Sequence, residues 1–170
     1  MREHKILLVD DTPSILKALK RTFKEEGYQI FSAGSADEAL SILDHENIDV
    51  IISDENMPGT SGTEFFAKVK NLYPDVLRMM LTAMTDIEVA KEAINKGEVY
   101  RFFNKPWNDF ELLVSVRHAL QQKEMELENR HLKECVQQQG DVLSRLEKDH
   151  PGITELQRTE DGAIVLDEEI

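Results

Sequence analysis

The sequence predicts an α/β fold, with five parallel strands in one doubly wound sheet and a C-terminal helix that runs on well past it. Short continuous apolar runs, such as Ile6-Leu7-Leu8-Val9 and Val50-Ile51-Ile52, suit strands buried on both faces. Amphipathic stretches of helical spacing separate these runs, and that alternation builds a parallel sheet. From Asn108 to about Lys148 the only strong helix breaker is Gly140, which gives a length beyond that of an ordinary globular helix.

The first strand, Lys5-Ile6-Leu7-Leu8-Val9, ends at the acidic pair Asp10-Asp11. Thr12-Pro13-Ser14 then opens a helix, because proline near the first helical position sacrifices no hydrogen bond. Ile15, Leu16, Leu19 and Phe23 recur at helical spacing, and Gly27 ends the segment. Tyr28 to Ala33 is the second strand. Ser35-Ala36-Asp37-Glu38 has capping-box spacing, followed by the apolar face Ala39, Leu40, Ile42 and Leu43. The third strand, Val50-Ile51-Ile52, delivers Asp54. Gly59 and Gly62 punctuate the loop before a helix carrying Phe65, Phe66, Val69 and Leu72.

Tyr73-Pro74-Asp75 breaks that helix, and Val76 to Leu81 forms a fourth strand that ends at Thr82-Ala83. A helix from about Asp86 to Lys96 turns Ile87, Ala90 and Ile94 inward before Gly97. Val99 to Phe103 is the fifth strand, leading into Asn104-Lys105-Pro106-Trp107, with Trp107 expected in the core. In the long helix Leu113, Leu120 and Leu127 follow one phase. Met125, Leu132, Val136, Leu143 and Leu146 follow another, an a/d seam on which Asn129 and Gln139 also fall. A domain-packing face thus hands over to a coiled-coil face, and a homodimer through this helix is expected. His150-Pro151-Gly152 ends it, and Glu160-Asp161-Gly162 between two apolar runs has a hairpin pattern. Three segments follow: a globular domain at 1–121, a coiled-coil extension at 122–149 and a short tail at 150–170.

Hydrophobic residues at 41 % suffice for a core, and 31 % charged residues suit a soluble protein. No apolar stretch approaches the roughly 20 residues that span a bilayer, and the N-terminus lacks a signal-peptide pattern. The one cysteine, Cys135, cannot form an internal disulfide, so a cytoplasmic location is expected. A formal net charge of −13 repels phosphate backbones and anionic membranes, and argues against direct nucleic-acid or membrane binding.

In an open α/β sheet, ligands bind at the carboxyl edge of the strands. That edge would collect Asp10 and Asp11, Asp54, Thr82 and Lys105. Clustered carboxylates disfavour one another's ionisation unless a cation joins them, and hard oxygen ligands suit Mg²⁺. Mg²⁺ favours phosphoryl groups, whose oxygens Lys105 would neutralise and the Thr82 hydroxyl would hydrogen-bond, while Asp54 would attack phosphorus.

These residues resemble the receiver domain of two-component response regulators, a flavodoxin-like fold. Asp10-Asp11, Asp54 with Met57-Pro58-Gly59, Gly62, Thr82-Ala83 and Lys105-Pro106 stand at that family's spacings, over about residues 4 to 121. The resemblance implies that Asp54 is the phosphoacceptor, served by a sensor histidine kinase. It also implies that Asp11, Asp54 and the Asn56 carbonyl bind Mg²⁺, with Asp10 acting largely through water. Thr82, Ala83 and Lys105 would hold the phosphoryl group, and Thr82 and Phe102 would form the switch pair. Phe102 lacks the hydroxyl of the tyrosine often found there, so its switching would rest on burial.

The segment from Tyr100 to Trp107 resembles receivers that precede enzymatic output domains such as cyclic-di-GMP phosphodiesterases or phosphatases. A regulatory role is expected rather than enzymatic turnover of an external substrate. An aspartyl-phosphate hydrolase would be expected to carry Asp-x-Asp after the first strand, where this chain has Asp10-Asp11-Thr12. A phosphorylation-independent dimerisation module would leave the acidic cluster and Lys105 without a role.

Overall fold

The computed structural model describes residues 3–152, so the expected hairpin beyond Gly152 lies outside the described residues. Five strands, β1 (Lys5–Val9), β2 (Gln29–Ala33), β3 (Val50–Asp54), β4 (Leu77–Thr82) and β5 (Arg101–Asn104), form one sheet in the order β2-β1-β3-β4-β5. Every pairing is parallel. The helices are α1 (Pro13–Thr22), α2 (Ala36–His45), α3 (Gly62–Leu72), α4 (Ile87–Asn95) and α5 (Asp109–Asp149), with a 3-10 turn at Met84–Asp86 before α4.

Alternation along the strands separates two cores. Leu7, Val9, Ile51 and Met80 point to one face and pack with residues of α2, α3 and α4 such as Ala39, Phe65, Phe66 and Ala90. Ile6, Leu8, Val50, Ile52, Met79 and Leu81 point to the other and pack with Leu19 of α1 and with Leu112, Val116 and Ala119 of α5. Both faces of β1, β3 and β4 are therefore covered, which is why residues 6–9, 50–52 and 79–81 run continuously apolar instead of alternating. Each fully buried Leu, Ile or Phe contributes about 1.5–3 kcal/mol through removal from water.

The strand order reverses direction between β1 and β3, which opens a crevice at their carboxyl ends. Val9 pairs with Ser53 and Asp54 with Leu81, so Asp10 and Asp54 emerge side by side. The expected fifth strand begins two residues late: Val99 is buried below the pairing, and the Tyr100 N–H reaches the Arg78 carbonyl (2.7 Å) as the chain enters β5.

Helix ends depart from expectation in two places: α1 stops at Thr22, with Phe23 as its C-cap and turns on to Gly27, and the box expected at Ser35 stays half-made. Ser35 accepts the N–H of Glu38 (3.2 Å), but the Glu38 carboxylate bonds to Gly34 N–H (2.7 Å) rather than closing the box on Ser35. A complete reciprocal box stands instead at Ser61 and Glu64, opening α3. Asn108 caps α5 by accepting the Glu111 N–H (3.0 Å). Beside it, one oxygen of Asp109 accepts from the Thr22 hydroxyl (2.7 Å) and from the Trp107 indole (2.9 Å), tying the ends of α1 and β5 to the start of α5. Trp107 is half-buried against the second core, as its expected core role requires.

The chain divides into two compact units between Gln122 and Lys123. In the second, Met125, Leu132, Val136, Leu143 and Leu146 of α5 are 40–68 % exposed.

Candidate phosphoacceptor site

The crevice at the carboxyl edge holds the expected acids. Asp10, at the end of β1, is fully buried, Asp54 closes β3 at 5 % exposure, and Asp11 faces solvent. Carboxylate oxygens of all three lie within 4.8 Å of one another. Such crowding needs positive charge, and Lys105 supplies part of it. Its Nζ lies 3.0 Å from Asp10 Oδ2 and 2.9 Å from Asp54 Oδ1. The other Asp10 oxygen accepts the Thr12 N–H (2.8 Å), and the Asn56 backbone amide lies close enough to favour the charged form of Asp54 slightly. One ammonium against three carboxylates leaves a net negative pocket built of hard oxygen donors, a donor set that suits a small divalent cation.

The same crowding shifts two groups of the pocket. Burial pushes the Asp54 carboxyl above the usual carboxylate range, and the hydrogen bond and charge of Lys105 only partly offset it. Burial alone would lower the Lys105 pKa, but its bonds to Asp54 and Asp10 outweigh that and hold it above the ordinary lysine value. Lys105 therefore stays charged, while Asp54 is short of compensating charge.

Three features that shape the pocket were not legible in the sequence. Glu55 is buried next to Asp54, and its carboxylate accepts both the N–H (2.9 Å) and the hydroxyl (2.7 Å) of Thr63, pinning the loop after β3 to the first turn of α3. Gly62 passes so close that a β-carbon there would collide with the Asp54 carbonyl oxygen and stand 2.9 Å from the Glu55 Cα. The Gly62 N–H also donates to the Glu55 carbonyl (2.9 Å). Asp86 accepts from the Asn56 side-chain amide (2.6 Å) across the rim. The spacing of Gly62 was visible, but only the fold supplies its steric reason.

The remaining expected residues divide. Thr82 is buried at the end of β4, and its hydroxyl donates to the Ala83 carbonyl (3.2 Å) rather than to Asp54. The Lys105 N–H donates to the Thr82 carbonyl (2.8 Å), so backbone pairing sets Thr82 and Lys105 on one rim. Phe102 is half-buried against the core beneath α4 and pairs with Met80. The Asn56 side chain is exposed.

A model of the response regulator receiver domain matches residues 6–117. The chain belongs to the response regulator receiver family. The receiver is 34 % identical over 116 residues to the hydrogenase transcriptional regulatory protein HoxA of Cupriavidus necator, covering 68 % of this chain and 24 % of HoxA. It is 31 % identical over 120 residues to sporulation initiation phosphotransferase F of Bacillus subtilis, covering 71 % of this chain and 96 % of that protein. Among solved structures it superposes on the signal receiver domain of an HD domain-containing protein from Pseudomonas fluorescens Pf-5. That match has a TM-score of 0.69 at 35 % identity and covers 73 % of this chain and 99 % of the other. The receiver chain spans about a quarter of the length of HoxA and similar transcriptional regulatory relatives. Among its described residues no helix is long and apolar enough to cross a membrane.

Proposed function

We propose that this receiver is a phosphorylation-controlled switch in which Asp54 accepts a phosphoryl group from the phosphohistidine of a sensor histidine kinase. The observation that carries this reading is the Lys105 ammonium bridging Asp10 and Asp54, with Asp11 beside them, at the carboxyl edge of the sheet. Asp10, Asp11, Asp54 and the Asn56 carbonyl would hold Mg²⁺. Bound there, the ion would offset the charge of the acids and of the incoming phosphoryl oxygens. An Asp54 carboxylate oxygen forms the new O–P bond as the N–P bond to the donor histidine breaks. The electron pair returns to the imidazole nitrogen, which is then free to take a proton. Lys105 moves its charge to a phosphoryl oxygen, and Thr82 and Ala83 supply the hydroxyl and backbone donors.

Thr82 already has a partner in the Ala83 carbonyl, so engaging a phosphoryl group requires its hydroxyl to turn. Space left at the end of β4 would then let Phe102 pack more deeply, and this is the switch. The proposed receiver proper is residues 1–121, with a coiled-coil extension at 122–149 and a tail at 150–170. The exposed seam of α5 supports a homodimer as the element the switch acts on. Within this reading the chain acts in the cytoplasm and regulates an output, without turning over an external substrate or contacting nucleic acid itself. The output lies elsewhere, in a further domain or another protein.

Incubation of the full chain with Mg²⁺ and a small acyl phosphate, followed by intact mass measurement, tests the assignment. One alkali-labile phosphoryl adduct is expected, absent from Asp54→Asn and from metal-free samples. No adduct would leave a phosphorylation-independent dimerisation module, and steady turnover of the donor would point to a hydrolase.

A further inference from the structure

We propose that Asp86 is a positioning residue for the acid pocket, holding the loop after β3 through its bond to the Asn56 side chain instead of capping α4. This deepens the phosphoacceptor reading and rests on it. Asp86 occupies the N-cap position of α4, where a carboxylate ordinarily accepts a first-turn N–H and meets the positive end of the helix dipole. It makes no such bond. Its Oδ2 accepts from Asn56 Nδ2 at 2.6 Å, a distance short even for a charge-assisted bond. A favourable local partner is therefore forgone for one thirty residues away in the chain.

The consequence is a continuous connection. The Asp86 N–H donates to the Ala83 carbonyl (3.0 Å), so its backbone is set by the turn that follows Thr82. Its carboxylate holds the side chain of Asn56, which stands two residues beyond Asp54 in the loop after β3. The loop carrying the Asn56 carbonyl is fastened to α3 on one side by Glu55 and Thr63, and to the start of α4 on the other by Asp86. Displacement of α4 relative to the pocket must break the Asn56 bond, after which Asp86 is free to cap its own helix. The two partners of Asp86 thus exclude one another.

Amide hydrogen exchange on the metal-free full chain separates this role from an ordinary capping role. Serine at position 86 still caps a helix but is too short to reach Asn56, whereas asparagine keeps an acceptor oxygen at the same reach. Asp86→Ser and Asn56→Ala are expected to speed exchange across residues 55–60 by about threefold or more, as loss of one tethering hydrogen bond does. Asp86→Asn is expected to stay near the parent value, and α4 in Asp86→Ser to exchange no faster than in the parent. Calorimetric titration of Mg²⁺ into Asp86→Ser should show weakening by a similar factor. Unchanged exchange across 55–60 in Asp86→Ser, or acceleration confined to α4, would overturn the role of Asp86. Failure of the parent protein to bind Mg²⁺ or accept a phosphoryl group would instead overturn the phosphoacceptor reading, and the exchange result would still decide the tether.

Discussion

At the scale of single residues, Asp54 is an acid whose burial shifts its protonation equilibrium. Its carboxyl titrates above the ordinary range because burial outweighs the help it receives from Lys105. In the proposed switch Mg²⁺ would bind the deprotonated form, so proton and ion would compete for Asp54. Affinity should therefore fall as pH drops through the raised pKa, starting at a higher pH than for an exposed aspartate. The limiting slope is about tenfold per pH unit for one displaced proton. Titration of Mg²⁺ between neutral and mildly acidic pH checks this, and an affinity flat down to the usual aspartate range would refute it. Stability of the metal-free protein has the opposite sign. A raised folded-state pKa contributes stability that is fully present below the unfolded pKa and is lost as pH rises through the folded value. The acids and Lys105 were legible as a set in the sequence because their order along successive strand ends puts them on one rim. Glu55 and Asp86 were not, since Glu55 works through Thr63 in the first turn of α3 and Asp86 through Asn56 on a different loop, and no local pattern marks either bond.

At the scale of elements, the loop between β3 and α3 carries the tightest constraint. Its closest approach is Gly62 against the backbone of Asp54 and Glu55, and backbone cannot step aside as a flexible side chain can. Gly62→Ala is expected to destabilise the fold by about 1–3 kcal/mol, the usual cost of overpacking, and to weaken Mg²⁺ binding by shifting Asp54. Denaturant melts with and without Mg²⁺ measure both effects, and wild-type stability in the variant would show that the loop yields. Strands were the most legible elements, because burial on two faces leaves an unbroken apolar run that few other structures produce. Cap chemistry was less so. Ser35-x-x-Glu38 and Ser61-x-x-Glu64 are the same pattern, yet only the second closes reciprocally, because Glu38 finds the Gly34 N–H within reach. The start of β5 was misjudged by two residues since Val99 and Tyr100 are as strand-like in composition as Phe102 and Phe103; pairing with β4 begins only at Arg101.

At the scale of the whole molecule, the phase change along α5 separates two roles for one helix. Residues up to Leu120 serve the core beside α1, and the seam from Met125 onward is exposed in the single chain. With Asn129, Val136 and Leu143 at a and Leu132, Gln139 and Leu146 at d, Glu128 and Lys133 fall at g and e. Parallel pairing sets Glu128 of one copy against Lys133 of the other, and Asn129 against its counterpart, which favours a parallel dimer in register. Sedimentation velocity on the full chain should show a dimer, and Val136→Glu should weaken it by about tenfold or more, equivalent to 1.4 kcal/mol. A parent protein monomeric at every accessible concentration would remove the seam from the mechanism. The seam was readable as a heptad pattern, but its pairing depends on a second chain that one sequence does not describe.

Trp107 lies two positions from Lys105, fastened to Asp109 at the head of α5, and it is the sole indole in the chain. The ring is half sheltered from solvent, so a rearrangement at Lys105 is expected to alter its surroundings. Its ultraviolet emission is expected to shift when Mg²⁺ or a small acyl phosphate is added, without an attached dye, and an unchanged spectrum would show that the indole does not sense the crevice.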